Sequence, residues 1–158
     1  MSKKRNFEKR IVAVFMIVVI SAISWMVVPK AETLTEGNYE YMVHAYGTVE
    51  ITKYVGTEKE VVVPDSLGGK KVTKIGADAF HSYKKMTSII LPQDLISIGK
   101  EAFAYCEGLK HVVIPEKVEG ISSLAFACCS SLESLEVNEN NKIYYSEGNC
   151  IIDKPYST

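Results

Sequence analysis

The sequence predicts a β-rich solenoid of short stacked coils with short helical turns, capped on its N-terminal side by a β-hairpin and preceded by an apolar helix. Three observations carry this. An Ala-Phe pair recurs at residues 79–80, 102–103 and 125–126, each time 23 residues on. Apolar β-branched runs ending in proline keep the same period, Ile89-Ile90-Leu91-Pro92 and Val112-Val113-Ile114-Pro115. Ile11 to Val28 carries no charge, while Met1 to Arg10 holds five basic residues against the single acid Glu8.

The N-terminal segment, residues 1–31, reads as an export signal, since a positive head stays in the cytoplasm and an apolar run follows it into the membrane. Two forms of it stay open. Eighteen charge-free residues make roughly 27 Å of helix, enough for a retained anchor. A cleaved signal needs small residues before the cut. Cleavage after Ala31 sets Pro29 at the third position back, whereas cleavage after Ser24 sets Ala22 there and exposes Trp25. Either form places Glu32 onward outside the membrane.

Residues 32–56 alternate in polarity. Tyr39-Glu40-Tyr41-Met42-Val43 and Thr48-Val49-Glu50-Ile51-Thr52-Lys53-Tyr54 read as two strands joined around Gly47.

Residues 57–158 hold the repeats. Ile75-Gly76, Ile98-Gly99 and Ile121-Ser122 precede the Ala-Phe pairs; Tyr83, Cys106 and Cys129 follow each Phe by three residues, and Met86, Leu109 and Leu132 by six. Val72, Leu95 and Val118 keep the period too. A looser unit ends at Val61-Val62-Val63-Pro64. Its proline precedes Pro92 by more than one period, which puts five extra residues around Gly68-Gly69-Lys70-Lys71. A unit this short cannot bury its own apolar side, so stacking must do so, and the period lies in the leucine-rich-repeat range. Within one unit, Leu109 to Ile114 reads as a strand with Val112 and Ile114 inward and His111 and Val113 outward. Pro115 lacks an N–H and ends the ladder. Ser122 to Ala127 reads as a short helical turn with Ser122 as N-cap.

The columns L-x-x-V-x-I-P-x-x-V-x-x-I-(G/S)-x-x-A-F-x-x-C resemble the BspA-type leucine-rich repeat of bacterial surface proteins, over about Gly47 to Asp153. The resemblance implies a β-rich leucine-rich-repeat solenoid. It makes the preceding strand pair the N-terminal hairpin cap, and Asn138 to Asp153 a variant unit in which a Tyr145-Ser146-x-Gly148-x turn joins two strands. It also implies a secreted or cell-surface protein engaged in adhesion or host-protein binding. Three positions depart from the pattern: Tyr83 stands for Cys, Ser122 for Gly and Asn138 for Pro. The chain stops at Thr158, one strand into its last unit, so a fragment of a longer protein is expected.

Composition narrows the function classes. Glu32 to Thr158 holds 18 acidic and 12 basic residues, a net of −6, which opposes nucleic acid as a partner. Lys70-Lys71 and Lys84-Lys85 read as solvated turns. Cys106 and Cys129 share one repeat column and read as buried thiols, although stacking leaves a bridge between them open. Cys128 lies off that column, and no C-x-x-C spacing occurs. His44, His81 and His111 show no metal-ligand spacing, and neither a G-x-S-x-G elbow nor a glycine-rich phosphate loop occurs. No enzyme activity, metal or cofactor is therefore expected.

The face to examine is the outward strand column, Val62, Ile90, Val113 and Glu136, beside Glu60, Ser88, His111 and Ser134. Aligned exposed apolar residues mark partner sites, although strand propensity alone also favours Val and Ile there. Tyr144 and Tyr145 add an aromatic edge or pack the last unit. The expected function is protein–protein interaction by an exported surface protein, with an extracellular protein of unknown identity as partner. The alternative is a structural spacer of a longer surface protein. An exported glycan hydrolase ranks last, because a short solenoid offers few concave sites.

Overall fold

The computed structural model describes residues 32–155. The apolar leader, residues 1–31, lies outside them; among the described residues no helix is long and apolar enough to cross a membrane.

Thirteen strands follow in order: β1 (Leu34–Glu36), β2 (Tyr39–Val43), β3 (Val49–Tyr54), β4 (Glu60–Val62), β5 (Ser66–Leu67), β6 (Lys70–Ile75), β7 (Ser88–Ile90), β8 (Ser97–Ile98), β9 (His111–Ile114), β10 (Gly120–Ile121), β11 (Ser134–Val137), β12 (Tyr144–Glu147) and β13 (Cys150–Asp153). Two parallel sheets run along a solenoid of about four coils. One orders β11-β9-β7-β4, and the other runs β3-β6-β8-β10 with β2 and β1 added antiparallel beyond β3. The offset between coils is the sequence period itself: Ile75 faces Ile98 and Ile98 faces Ile121, while Val112 faces Leu135. The five inserted residues form a tight hairpin, β5 against β6, turned by Gly68 and Gly69 at positive φ.

The inward columns fill the interior. Ile75 and Ile98, Ala79, Ala102 and Ala125, Met86 and Leu109, and Val112 and Ile114 are all buried. Phe80, Phe103 and Phe126 stack along the axis with centroids 5.1 and 5.2 Å apart, and Tyr54 continues the stack 5.1 Å from Phe80. Ring-on-ring packing of this kind adds a directional term to the burial of large apolar area.

The expected short helical turns are not helices; among the described residues there is none. Each Ala-Phe turn carries two residues in the left-handed region four positions apart: Asp78 and Ser82, Glu101 and Tyr105, Leu124 and Cys128. A left-handed residue every fourth position breaks an i→i−4 ladder before it can propagate. The freed backbone groups turn to the next coil instead. Asp78, Phe80 and Ser82 donate N–H to the carbonyls of Lys100, Ala102 and Ala104, and Phe103 and Tyr105 donate to those of Ala125 and Ala127, at 2.8–3.1 Å. Ser122 contributes its carbonyl, which accepts the Ala125 N–H at 3.3 Å. The turn segment is thus a third line of coil-to-coil bonding.

Close stacking sets residue size. A Cβ on Gly99 would lie 2.6 Å from backbone atoms of Gly76 and Ala77. The Cys column also has a backbone role. The Cys106 and Cys129 thiols donate to the Phe80 and Phe103 carbonyls at 3.1 and 3.2 Å, and the Tyr83 hydroxyl donates to the Glu58 carbonyl at 2.8 Å. Tyr83 therefore keeps the donor that its column supplies. All four cysteines are free.

The column Val72, Leu95, Val118 ends at Asn141, which is fully buried. Its Nδ2 donates to the Pro115 and Val118 carbonyls at 3.1 and 2.9 Å, and its Oδ1 accepts from the Ile143 and Tyr144 N–H groups at 2.8 and 2.7 Å. One amide satisfies the coil below and starts the turn into β12 and β13, which pair antiparallel across Gly148 at positive φ.

Two substitutions test this packing by urea denaturation. Gly99→Ala is expected to lose about 1–3 kcal/mol, because its methyl meets backbone that cannot rotate away. Asn141→Ala strands four backbone groups and is expected to lose about 2–4 kcal/mol.

Candidate functional site

The outward face of β4, β7, β9 and β11 is built by simple alternation. Val61, Ile89, Val112 and Leu135 enter the core, which forces their neighbours out. Val62, Ile90 and Val113 are 62%, 60% and 53% exposed, and Glu136 completes the row. Val62 pairs in register with Ile90, and Val113 with Glu136. The structure therefore brings the four sequence-selected residues into one line. His111 stands beside it, in register with Ser88 and Ser134.

Charge rims the apolar row at one end. Glu133 reaches Lys110 at 3.1 Å and His111 at 3.7 Å, and Ser134 Oγ donates to Glu136 at 2.7 Å. Ion pairs elsewhere follow the coil repeat. Lys84 meets Glu107 at 2.7 Å, and Asp94 lies between Lys71, at 2.7 Å, and Lys117. Lys71, Asp94 and Lys117 follow one another at the repeat period, so stacking alone aligns them. Hydrogen bonds from Lys117 and Lys71 hold the Asp94 carboxyl down at about 2.

The other sheet presents a cleft of about 320 Å³, with small residues Ser97, Gly99 and Gly120 along its floor, Glu50 and Lys74 at one end and Tyr144 at the other. Glu50 accepts from His44 at 2.9 Å and from Lys74 at 3.1 Å. Tyr144 packs against the core, and Tyr145 is exposed. Sequence reasoning passed over this cleft because Ser and Gly columns carry no signal until the sheet is assembled. The cysteines offer no nucleophile in the core: burial first, then the neighbouring Cys129 thiol, pushes Cys106 up to about 12, and burial raises Cys129.

Residues 66–150 match the model of the BspA type leucine rich repeat region (6 copies). The chain belongs to the BspA-type leucine-rich-repeat family. Solved structures agree on the fold. A leucine-rich repeat protein from Bacteroides ovatus ATCC 8483 shares 27% identity over 65% of this chain, with a TM-score of 0.59; the match spans 29% of that protein's length. Another, from Bacteroides capillosus ATCC 29799, shares 24% identity over 67% of this chain and 98% of its own, with a TM-score of 0.53. A search of curated proteins returned no match. For a BspA-type repeat the buried columns belong to the fold, which leaves the outward rows free of the demands of the core.

The Asp94 clamp yields an acid-limb prediction. A carboxyl lowered from 3.8 to about 2 stabilises the fold in full above its ordinary value and loses that contribution as pH falls through about 2. Asp94→Asn is expected to flatten the fall in unfolding midpoint between about pH 4 and pH 2, read by thermal melts across that range. The exposed lysines make the effect weaken in high salt.

Proposed function

We propose that this chain is an exported cell-surface or secreted binding protein that docks an extracellular protein on the outward face of the β4-β7-β9-β11 sheet. The carrying observation is the registered row of Val62, Ile90 and Val113, each more than half exposed. Apolar side chains left in the open on a rigid sheet supply the core of a protein interface, and His111, Glu133 and Glu136 supply a polar rim. Ile90 sits at the centre of the row, where the burial energy of an interface concentrates. Export is read from the basic head and charge-free run of the leader. A net of −6 beyond residue 31 fits a protein rather than a nucleic-acid ligand. Adhesion to host or neighbouring-cell proteins is the use this face would serve, without a catalytic step.

A binding screen of the full chain against extracellular-matrix and serum proteins tests the reading, with an Ile90→Lys/Val113→Lys variant alongside. Saturable binding that weakens about a hundredfold or more in the folded variant is expected, as for two central apolar anchors. Binding that survives the double substitution moves the interface off this sheet. A folded wild-type chain that binds nothing in the screen favours the alternative reading, a spacer of a longer surface protein.

A further inference from the structure

Outside the strand face, one set of side chains converges from two neighbouring coils. Asp78, His81 and Glu101 each present one ligand atom, and the three atoms lie within 4.8 Å of one another. Asp78 and Glu101 occupy the same repeat column at φ 57° and 54°, and the Asp78 N–H donates to the Lys100 carbonyl at 3.1 Å, which fixes the two turns against each other. His81 is oriented from behind. Its Nδ1 lies 3.0 Å from Ser82 Oγ and its ring packs 5.3 Å from that of Tyr105, while its Nε2 faces Glu101 at 3.9 Å. An imidazole held at one nitrogen with the other aimed at carboxylates is the arrangement that prepares a metal ligand. The charges call for a cation as well. Lys100 pairs with Glu101 at 3.2 Å, but among the described residues the Asp78 carboxylate has no ion-pair or hydrogen-bond partner.

We propose that Asp78, His81 and Glu101 bind one divalent transition-metal ion of the zinc class, clipping two neighbouring coils together. The donor set decides the class: two carboxylates with an imidazole suit zinc and its neighbours, whereas calcium and magnesium prefer oxygen alone. Metal–ligand bonds of about 2.1 Å set donors about 3.4 Å apart, a gap that side-chain rotation closes. Three protein ligands leave a further position for water. The set is not a by-product of the repeat. The next coil carries Leu124 after Glu101, and Ala104 and Ala127 follow His81 in its column, so the ligands meet only once. Histidine spacing could not reveal the site, because the third ligand, Glu101, belongs to the next coil and arrives by stacking.

The full chain, kept reduced, is titrated with Zn²⁺ by calorimetry and with Co²⁺ by absorption. One equivalent is expected to bind, with no thiolate-to-cobalt charge-transfer band, and to raise the unfolding midpoint. Affinity is expected to fall about tenfold or more in Asp78→Asn and in His81→Gln, and to hold in His44→Gln. Both ligand variants are surface changes and are expected to keep the metal-free unfolding midpoint. Absence of saturable binding, a thiolate band from Cys128 or Cys150, or unchanged affinity in the two ligand variants would overturn the proposal.

Discussion

Backbone hydrogen bonds between successive coils, joining like positions of neighbouring units, are the constraint on which the rest of this molecule depends. They run in three lines: along β4-β7-β9-β11, along β6-β8-β10, and through the Ala-Phe turns where Phe80 meets Ala102 and Phe103 meets Ala125. A coil gains its partners only from its neighbours, so no coil is stable alone and each interface carries part of the stability. Because each line advances by the repeat period, save at β4-β7 where the five inserted residues lengthen the step, a side chain in one coil lies over its counterpart in the next. The Phe stack, the cysteine donors and the Lys71-Asp94-Lys117 clamp are consequences of that period.

The same constraint explains which departures from the pattern are tolerated. Tyr83 replaces Cys and still gives a hydrogen to the coil beneath it. Asn141 enters an apolar column only where the coil path ends, and it meets all its hydrogen-bonding capacity by joining the last coil to the final hairpin. A buried amide of this kind is costly unless every bond is made. Gly99 is held to its size by backbone that passes 2.6 Å from where a Cβ would stand.

Outward positions escape this control. Nothing in the stacking requires Val62, Ile90 and Val113 to be apolar, or Asp78, His81 and Glu101 to carry ligand atoms. Chemistry found there is free to answer to partners rather than to the fold. The two surfaces also differ in kind: an apolar row on a sheet suits a protein, and a polar cluster shared by two turns suits an ion.

The sequence by itself determined the period, the coil register, the inward and outward strand positions and the place of the five-residue insertion at Gly68-Gly69. These were legible because apolar burial writes a regular column into the residues, and alternation in a strand then assigns every neighbour. It also marked Val62, Ile90, Val113, His111 and Glu136 as one face. The tertiary structure alone decided the Ala-Phe turns, where left-handed residues as unlike as Asp78, Tyr105 and Leu124 replace the expected helix with coil-to-coil bonds. No local signal announces that choice, since the backbone groups involved find their partners in the next coil rather than in their own turn. For the same reason only the structure could set Glu101 beside Asp78 and His81, or line a cleft with Ser97, Gly99 and Gly120: distance along the chain hides contacts that stacking creates.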